Sequence, residues 1–331
     1  FFKQKTAYAI GVRLVGSEMC IRDSLGEGVR VCMVDTGIDI SHPDLSHLTL
    51  SGFRDFYSEK DSPVRDIGTN SHGTLMAGLL AANGSFTGAA PGASLSIAIS
   101  LGPDGKSANE RMVSQAIRWC RISQDADIIS LSLGTAPGSS FSATSDTLDA
   151  VREALDDGIF VIAAAGNRDP QQNLSDVSSP ASLSGVIAVG AHDRNGDPWV
   201  DSAEGAQYDP ETGEQRIFPN QKPEISAPGV DLWSCRDSDR DPPYAFSTGT
   251  SDSTVLVTGA LALILSLYQG QIEGEDGIID QHEMDLVKIA LANSARTESS
   301  QINNHDPKKG YGLLDAQQWS RQVEIEFGIN Q

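Results

Sequence analysis

From Gly28 onward the chain alternates short, nearly uninterrupted apolar runs with longer stretches whose apolar residues recur every three or four positions. The runs at 29–34, 95–99, 127–133, 159–164 and 186–189 are rich in β-branched or small apolar residues. Strands covered on both faces read this way, because neither face needs polar residues for solvent. Between them, 144–157 sets Leu148, Val151 and Leu155 at i, i+3 and i+7 and stops at Gly158, the pattern of a helix with a glycine terminator. Met112, Ala116 and Trp119 mark the preceding helix in the same way. This alternation predicts an α/β fold, a mostly parallel β-sheet flanked by helices on both faces, with functional groups at the carboxyl ends of the strands. No repeat or long linker interrupts it, so 25–331 reads as a single domain, with 203–223 and 234–243 as inserted loops. The longest apolar run, 255–267, is broken by Thr258, Gly259 and Ser266 and is shorter than the ~20 residues of a bilayer span, so it reads as a core helix.

With 331 residues and 39% hydrophobic content the chain can bury a sizeable core. Its formal charge of -21 argues against nucleic acid or an anionic membrane as partner, since an acidic field repels both. A monomer is expected. The first 24 residues break from this pattern: Lys3, Lys5, Arg13 and Arg22 against Glu18 and Asp23 make them +2, leaving -23 for the rest. They lack the apolar core and small-residue cleavage site of a signal peptide and resemble translated adapter read-through. Residues 1–24 are therefore read as a non-native segment, and a cleaved N-terminal pro-segment is expected to be missing from this chain. Cys20, Cys32, Cys120 and Cys235 have neither metal-site spacing nor disulfide-scaffold density and are expected to be free, mostly buried thiols.

Candidate chemistry begins with "VCMVDTGIDISHPDL", where a strand ends on Asp35-Thr36-Gly37. A carboxylate there fits either half of an aspartic-protease dyad or the orienting member of a Ser-His-Asp triad. The dyad needs a second Asp-Thr-Gly or Asp-Ser-Gly, or a half-size chain that dimerises, and neither is present. Instead His72 opens an amphipathic helix in "NSHGTLMAGLLAA", and Ser251 follows Gly249-Thr250 at the head of the apolar helix. Serine is a weak nucleophile at neutral pH; an imidazole must take its proton, and a buried carboxylate must fix the imidazole tautomer. In "VIAAAGNRD" a strand end delivers Asn167, whose amide can donate to an oxyanion.

With these residues in the order Asp, His, Asn, Ser, the chain resembles the subtilisin-like serine proteases. The resemblance runs from about Gly26 to Ala316 and includes "SHPDL", "GAAPGASL", "IISLSLG", "VIAVGA", "KPEISAPG" and "GYGLLDA". It implies a serine endopeptidase with Asp35 as orienting carboxylate, His72 as general base then acid, Ser251 as nucleophile and Asn167 as oxyanion donor. No cofactor is required for the chemistry. Polypeptide substrates would lie extended along Gly105, Lys106 and Ser107 and along Ser132, Leu133 and Gly134. A first pocket would be walled by Ser132 to Gly134 and by Ala164 and Gly166, roomy and uncharged. The resemblance favours secretion. A peptide-binding protein without catalysis, and a peptide ligase using the same acyl-enzyme, are the other classes considered.

The helix after Ser251 departs from the family pattern Met-Ala-x-Pro-His-Val-x-Gly, reading Asp252-Ser253-Thr254-Val255-Leu256-Val257-Thr258-Gly259. Asp252 is expected to be a solvated first-turn aspartate, although a carboxylate beside an oxyanion hole would oppose an anionic transition state. Asp44 matches a position that often holds structural calcium in the family, but the loop "AANGSFTGAAP" offers mainly Asn83. In "IEGEDGIIDQHE" Asp276 and Gly277 evoke half a calcium loop, yet Asp280 with Glu283 reads as a helix capping box. The remaining histidines, including His42, show no ligand spacing.

Overall fold

In the computed structural model, which describes residues 24–107, 109–134, 145–168, 176–209, 212–274, 277–297 and 305–329, the five apolar runs are strands. The N-terminal segment up to residue 23, with Cys20, and Asp276 fall outside the described residues. The strands are β1 (Arg30–Asp35), β3 (Ser94–Ile99), β4 (Ile128–Leu131), β5 (Phe160–Ala164) and β6 (Ile187–His192). Two more, β2 (Gly52–Asp55) and β7 (Ile225–Pro228), read Gly-Phe-Arg-Asp and Ile-Ser-Ala-Pro and do not form apolar runs. All seven run parallel in the order β2-β3-β1-β4-β5-β6-β7. The chain passes from β1 to β2 at one edge of the sheet, returns to place β3 between them, and then crosses to lay β4 on the other side of β1. The strand order therefore reverses between β1 and β4, where parallel sheets open a crevice at their carboxyl ends.

Helix α1 (His72–Ala81) packs on α4 (Thr250–Ile272), which crosses β4 to β7. Helices α2 (Glu110–Ile122) and α3 (Ser145–Asp156) pack on each other and against β1, β3 and β5, so the sheet is covered on both faces. Helices α5 (Gln281–Ser294) and α6 (Ala316–Glu326) close the C-terminal end. Helix α4 is long and apolar enough to cross a bilayer, but Val255, Val257, Leu261 and Ile264 are fully enclosed, as a core helix requires. Leu148, Val151 and Leu155 are buried on α3, and Gly158 beyond it has φ 76°, where a side chain would also strike the Ile279 carbonyl. On α2 the buried stripe is Val113, Ala116, Ile117 and Cys120, one position away from the expected one, and Met112 and Trp119 are only half-buried.

Two expectations are corrected. Cys32 and Cys120 are not free thiols: α2 lies against β1, their Cα atoms approach to 5.7 Å, and they form a disulfide across 88 positions of sequence. Cys235 is free and buried, as expected. The segment 234–243 is not simply an inserted loop: its start belongs to β8 (Leu232–Cys235), which pairs antiparallel with β9 (Tyr244–Ser247). The box on α5 forms as read: the Asp280 side chain accepts from His282 N, and Glu283 accepts from Asp280 N.

Candidate active site

Asp35 is the last residue of β1 and is almost fully buried. Its Oδ1 accepts from Thr36 N and from His72 Nδ1, both at 2.7 Å, while Oδ2 has no partner among the described residues. A carboxylate can only accept here, so the His72 proton lies on Nδ1 and Nε2 is left to act as base. The next two residues bind the strand end to α1. Thr36 Oγ1 accepts from Gly73 N at 2.9 Å and donates to Asp66 Oδ1 at 2.7 Å. Gly37, at φ 124°, lies where a Cβ would collide with the Arg65 carbonyl. Asp66 also accepts from Thr74 N and Thr74 Oγ1, capping the first turn of α1, a task that Ser71 just before His72 does not perform with its side chain. Asp66 was not singled out in the sequence, because it lies in a turn with no period to mark it.

Burial opposes charge on His72, but attraction and hydrogen bonding to Asp35, with attraction to Asp252 and Asp66, outweigh it and push the imidazole up to about 9. Ser251, in the first turn of α4, is buried. Its Oγ donates to the Ser132 carbonyl at 3.2 Å, and Ser132 Oγ donates back to the Ser251 carbonyl at 3.3 Å. The hydroxyl is thus turned toward the end of β4 rather than bonded to His72. Asn167 follows β5; its Oδ1 accepts from Thr250 N and Thr250 Oγ1 at 3.0 and 2.8 Å, which leaves Nδ2 to donate elsewhere. A Cβ on Gly249 would sit 3.2 Å from that Nδ2, so a side chain there would crowd it.

Asp252 corrects its expectation. It is 1% exposed rather than solvated, because the first turn of α4 is enclosed: Ser253 Oγ donates to the Ala227 and Pro228 carbonyls. Burial pushes this carboxylate up to about 7, against the lowering pull of Ser247 and His72. Its Oδ1 has no partner among the described residues.

His72, Asn167 and Ser251 line a cleft of about 670 Å³ together with Gly105, Lys106, Ser107, Ser132, Leu133, Gly134, Ala164 and Gly166, which are all the predicted substrate-binding positions. Ser178, missed in the sequence, also lines it. A Cβ on Gly134 or Gly166 would strike Ser178, so the two walls of the first pocket converge on this residue.

Asp44 lies apart from the cleft. Its carboxylate accepts from Tyr244 Oη at 3.1 Å and Ser85 Oγ at 3.3 Å. His42, Asp44 and Cys235, all buried, bring a nitrogen, an oxygen and a sulfur within 4.8 Å of one another, a grouping that the spacing around His42 did not reveal. Both ring nitrogens of His42 are engaged, Nε2 donating to the Pro243 carbonyl and Nδ1 accepting from Asp44 N. Burial, with Asp44 adding to it, pushes the Cys235 thiol up, so it stays protonated.

The model of the subtilase family, Peptidase_S8, matches residues 26–312. The chain is 34% identical over 265 residues to the major intracellular serine protease of Bacillus subtilis, covering 77% of this chain and 74% of that protein. It is 39% identical to the thermostable alkaline protease of Halalkalibacterium halodurans and 36% identical to subtilisin E of Bacillus subtilis. Those two matches cover 75% and 73% of this chain but only 59% and 57% of the relatives' own lengths. The parallel α/β sheet, the helices on both faces and the match over most of the sequence together establish that this chain belongs to the subtilase family of serine proteases.

Proposed function

We propose that the chain hydrolyses internal peptide bonds of polypeptides through an acyl-enzyme on Ser251. The observation that carries this reading is the buried Asp35 holding His72 Nδ1 at 2.7 Å beside a cleft that Ser251 and Asn167 also line. With substrate in the cleft, the Ser251 hydroxyl turns from the Ser132 carbonyl to His72 Nε2; such bonds tighten in the substrate complex. His72 takes the hydroxyl proton as Oγ bonds to the scissile carbonyl carbon, and Asp35 stabilises the imidazolium. The carbonyl oxygen becomes an oxyanion, met by Asn167 Nδ2 and the Ser251 N–H. Collapse breaks the C–N bond, and the leaving amine takes the proton from His72. Water then repeats the sequence and releases the acid. Asp66 and Thr36 hold the first turn of α1, and with it His72, against the end of β1.

Subtilases need no cofactor for this chemistry. Calcium at Asp44 does not fit the residues around it: both carboxylate oxygens accept from hydroxyls, and the ionisable groups gathered beside it are an imidazole and a thiol. Calcium instead takes six to eight oxygen ligands. The small walls of the first pocket, Ser132 to Gly134 and Ala164 to Gly166, favour apolar side chains over charged ones.

The reading is tested by labelling the protein with a fluorophosphonate and by product masses from a generic protein substrate. Wild type should be labelled on Ser251, and Ser251→Ala and His72→Ala should lose essentially all labelling while remaining folded. Products carrying water rather than a joined amine identify hydrolysis. A folded wild type that binds extended peptides without labelling would overturn the assignment.

A further inference from the structure

The Ser251 hydroxyl is held away from His72 by a reciprocal pair of hydrogen bonds. Ser251 Oγ donates to the Ser132 carbonyl at 3.2 Å, and Ser132 Oγ donates to the Ser251 carbonyl at 3.3 Å. Both residues are buried and both line the cleft. The pair therefore joins the end of β4 to the first turn of α4 at the reacting atom itself. A hydroxyl donor usually approaches its acceptor to about 2.7 or 2.8 Å. These contacts are longer, which makes the pair a weak hold that a better donor displaces. While it lasts, the single proton on Ser251 Oγ is engaged by Ser132 and cannot pass to His72 Nε2.

A peptide substrate brings such a donor to this place. The residue whose carbonyl carbon is attacked carries its own N–H on the other side of Cα, and with backbone bonds of about 1.5 Å that nitrogen sits only about 2.5 Å from the carbon. Attack requires Ser251 Oγ to come within about 3 to 3.5 Å of the same carbon. The N–H is thus delivered beside the carbonyl that Oγ holds at 3.2 Å. An extended chain lying along Ser132, Leu133 and Gly134 turns alternate N–H groups toward that wall.

We propose that Ser132 gates the nucleophile: the reciprocal pair parks Ser251 Oγ, and a substrate whose acyl residue bears an N–H opens the gate by taking over the Ser132 carbonyl. This rests on the reading of Ser251 and His72 as nucleophile and base. The freed hydroxyl turns to His72 Nε2, and its proton passes there as Oγ bonds to the scissile carbon. The Ser132 carbonyl meets substrate; the Ser132 hydroxyl acts only through Ser251 and is a positioning group. The site thereby discriminates on the acyl side. Peptides carry the releasing N–H, whereas simple esters and alkyl phosphonates lack it and react only in the fraction of time that the hydroxyl is free.

The experiment compares three probes of Ser251: an alkyl fluorophosphonate with no amide, a peptidyl diphenyl phosphonate with an apolar first-pocket residue, and the same peptide methylated on that residue's nitrogen. Inactivation is resolved into Ki and the limiting rate kinact for wild type and Ser132→Ala, with a thermal melt to follow folding. In wild type, N-methylation should lower kinact as well as weaken Ki, because the bound probe meets a parked hydroxyl. Ser132→Ala keeps the carbonyl but loses the returning bond, so the alkyl fluorophosphonate should react faster by roughly two- to five-fold, the worth of one weak hydrogen bond. The N-methylated probe should regain kinact by a similar factor. A hydroxyl that merely supports the fold would leave the ratios among the three probes unmoved, whatever their common rate, and that result overturns the gate. N-methylation that weakens Ki alone overturns it too, in wild type and without any variant. A folded wild type labelled by none of the three overturns the nucleophile assignment and the gate with it.

Discussion

The two ends of the Asn167 amide have separate tasks. Its oxygen is fixed by Thr250 N and Oγ1, both part of the first turn of α4 that carries Ser251. The amide nitrogen is thereby oriented by the same turn that positions the nucleophile, so the two move together. Asn167 itself is exposed, and its replacement opens no cavity in the core. Asn167→Ala should therefore reduce kcat by the magnitude known for the oxyanion amide of this family, roughly 10² to 10³. KM should change little, because the donor acts on charge that develops only in the transition state. Steady-state kinetics and a thermal melt separate the outcomes. A large drop in melting temperature accompanied by a proportionate activity loss would reassign Asn167 to structure.

At the scale of elements, the Cys32–Cys120 bridge ties α2 to β1 three residues before Asp35. Closing a loop of this length restricts the unfolded chain by roughly 4 to 5 kcal/mol in the chain-entropy limit. The double variant Cys32→Ala with Cys120→Ala should lose about 2 to 5 kcal/mol in urea unfolding. Ser251 labelling at room temperature should persist, since neither sulfur lies in the cleft. An unchanged unfolding midpoint would sink the claim. This bridge was illegible in the sequence because nothing local records which helix face meets which strand. The five apolar strands were legible because burial on both faces imposes a continuous pattern. Strand β2 is mostly half-exposed and β7 carries Ser226 and Pro228, so neither leaves such a mark. Asp35, His72, Asn167 and Ser251 could be found because each ends a strand or begins a helix. Thr36, Asp66 and Ser178 work only once separate segments have closed around them. Asp252 was misread for a related reason: a helix considered alone exposes its first turn, whereas here β7 covers it. The motif "KPEISAPG" likewise hides a charge cluster, in which fully buried Lys222 and Lys288 share Glu224 Oε1 at 2.8 and 2.9 Å.

For the whole molecule, a formal charge of -21 on 331 residues means that substrates approach through a strongly negative field. Around the cleft that field is carried by Asp104 and Glu110 against Lys106, so it is not reversed at the point of entry. Cationic peptides should consequently reach the site faster than neutral ones of equal size and equal first-pocket residue. The advantage belongs to encounter rather than to chemistry, so it should appear in kcat/KM and leave kcat nearly unchanged. It should also depend on salt, because the screening length shrinks from about 10 Å at 0.1 M to about 3 Å at 1 M. Paired peptides differing only in lysine or glutamine at positions distant from the scissile bond provide the measurement. At low salt the lysine peptide should be favoured by several-fold, and at 1 M salt the ratio should approach one. A preference that survives 1 M salt would locate it in a contact within the cleft, with Asp104 and Glu110 as the first residues to neutralise.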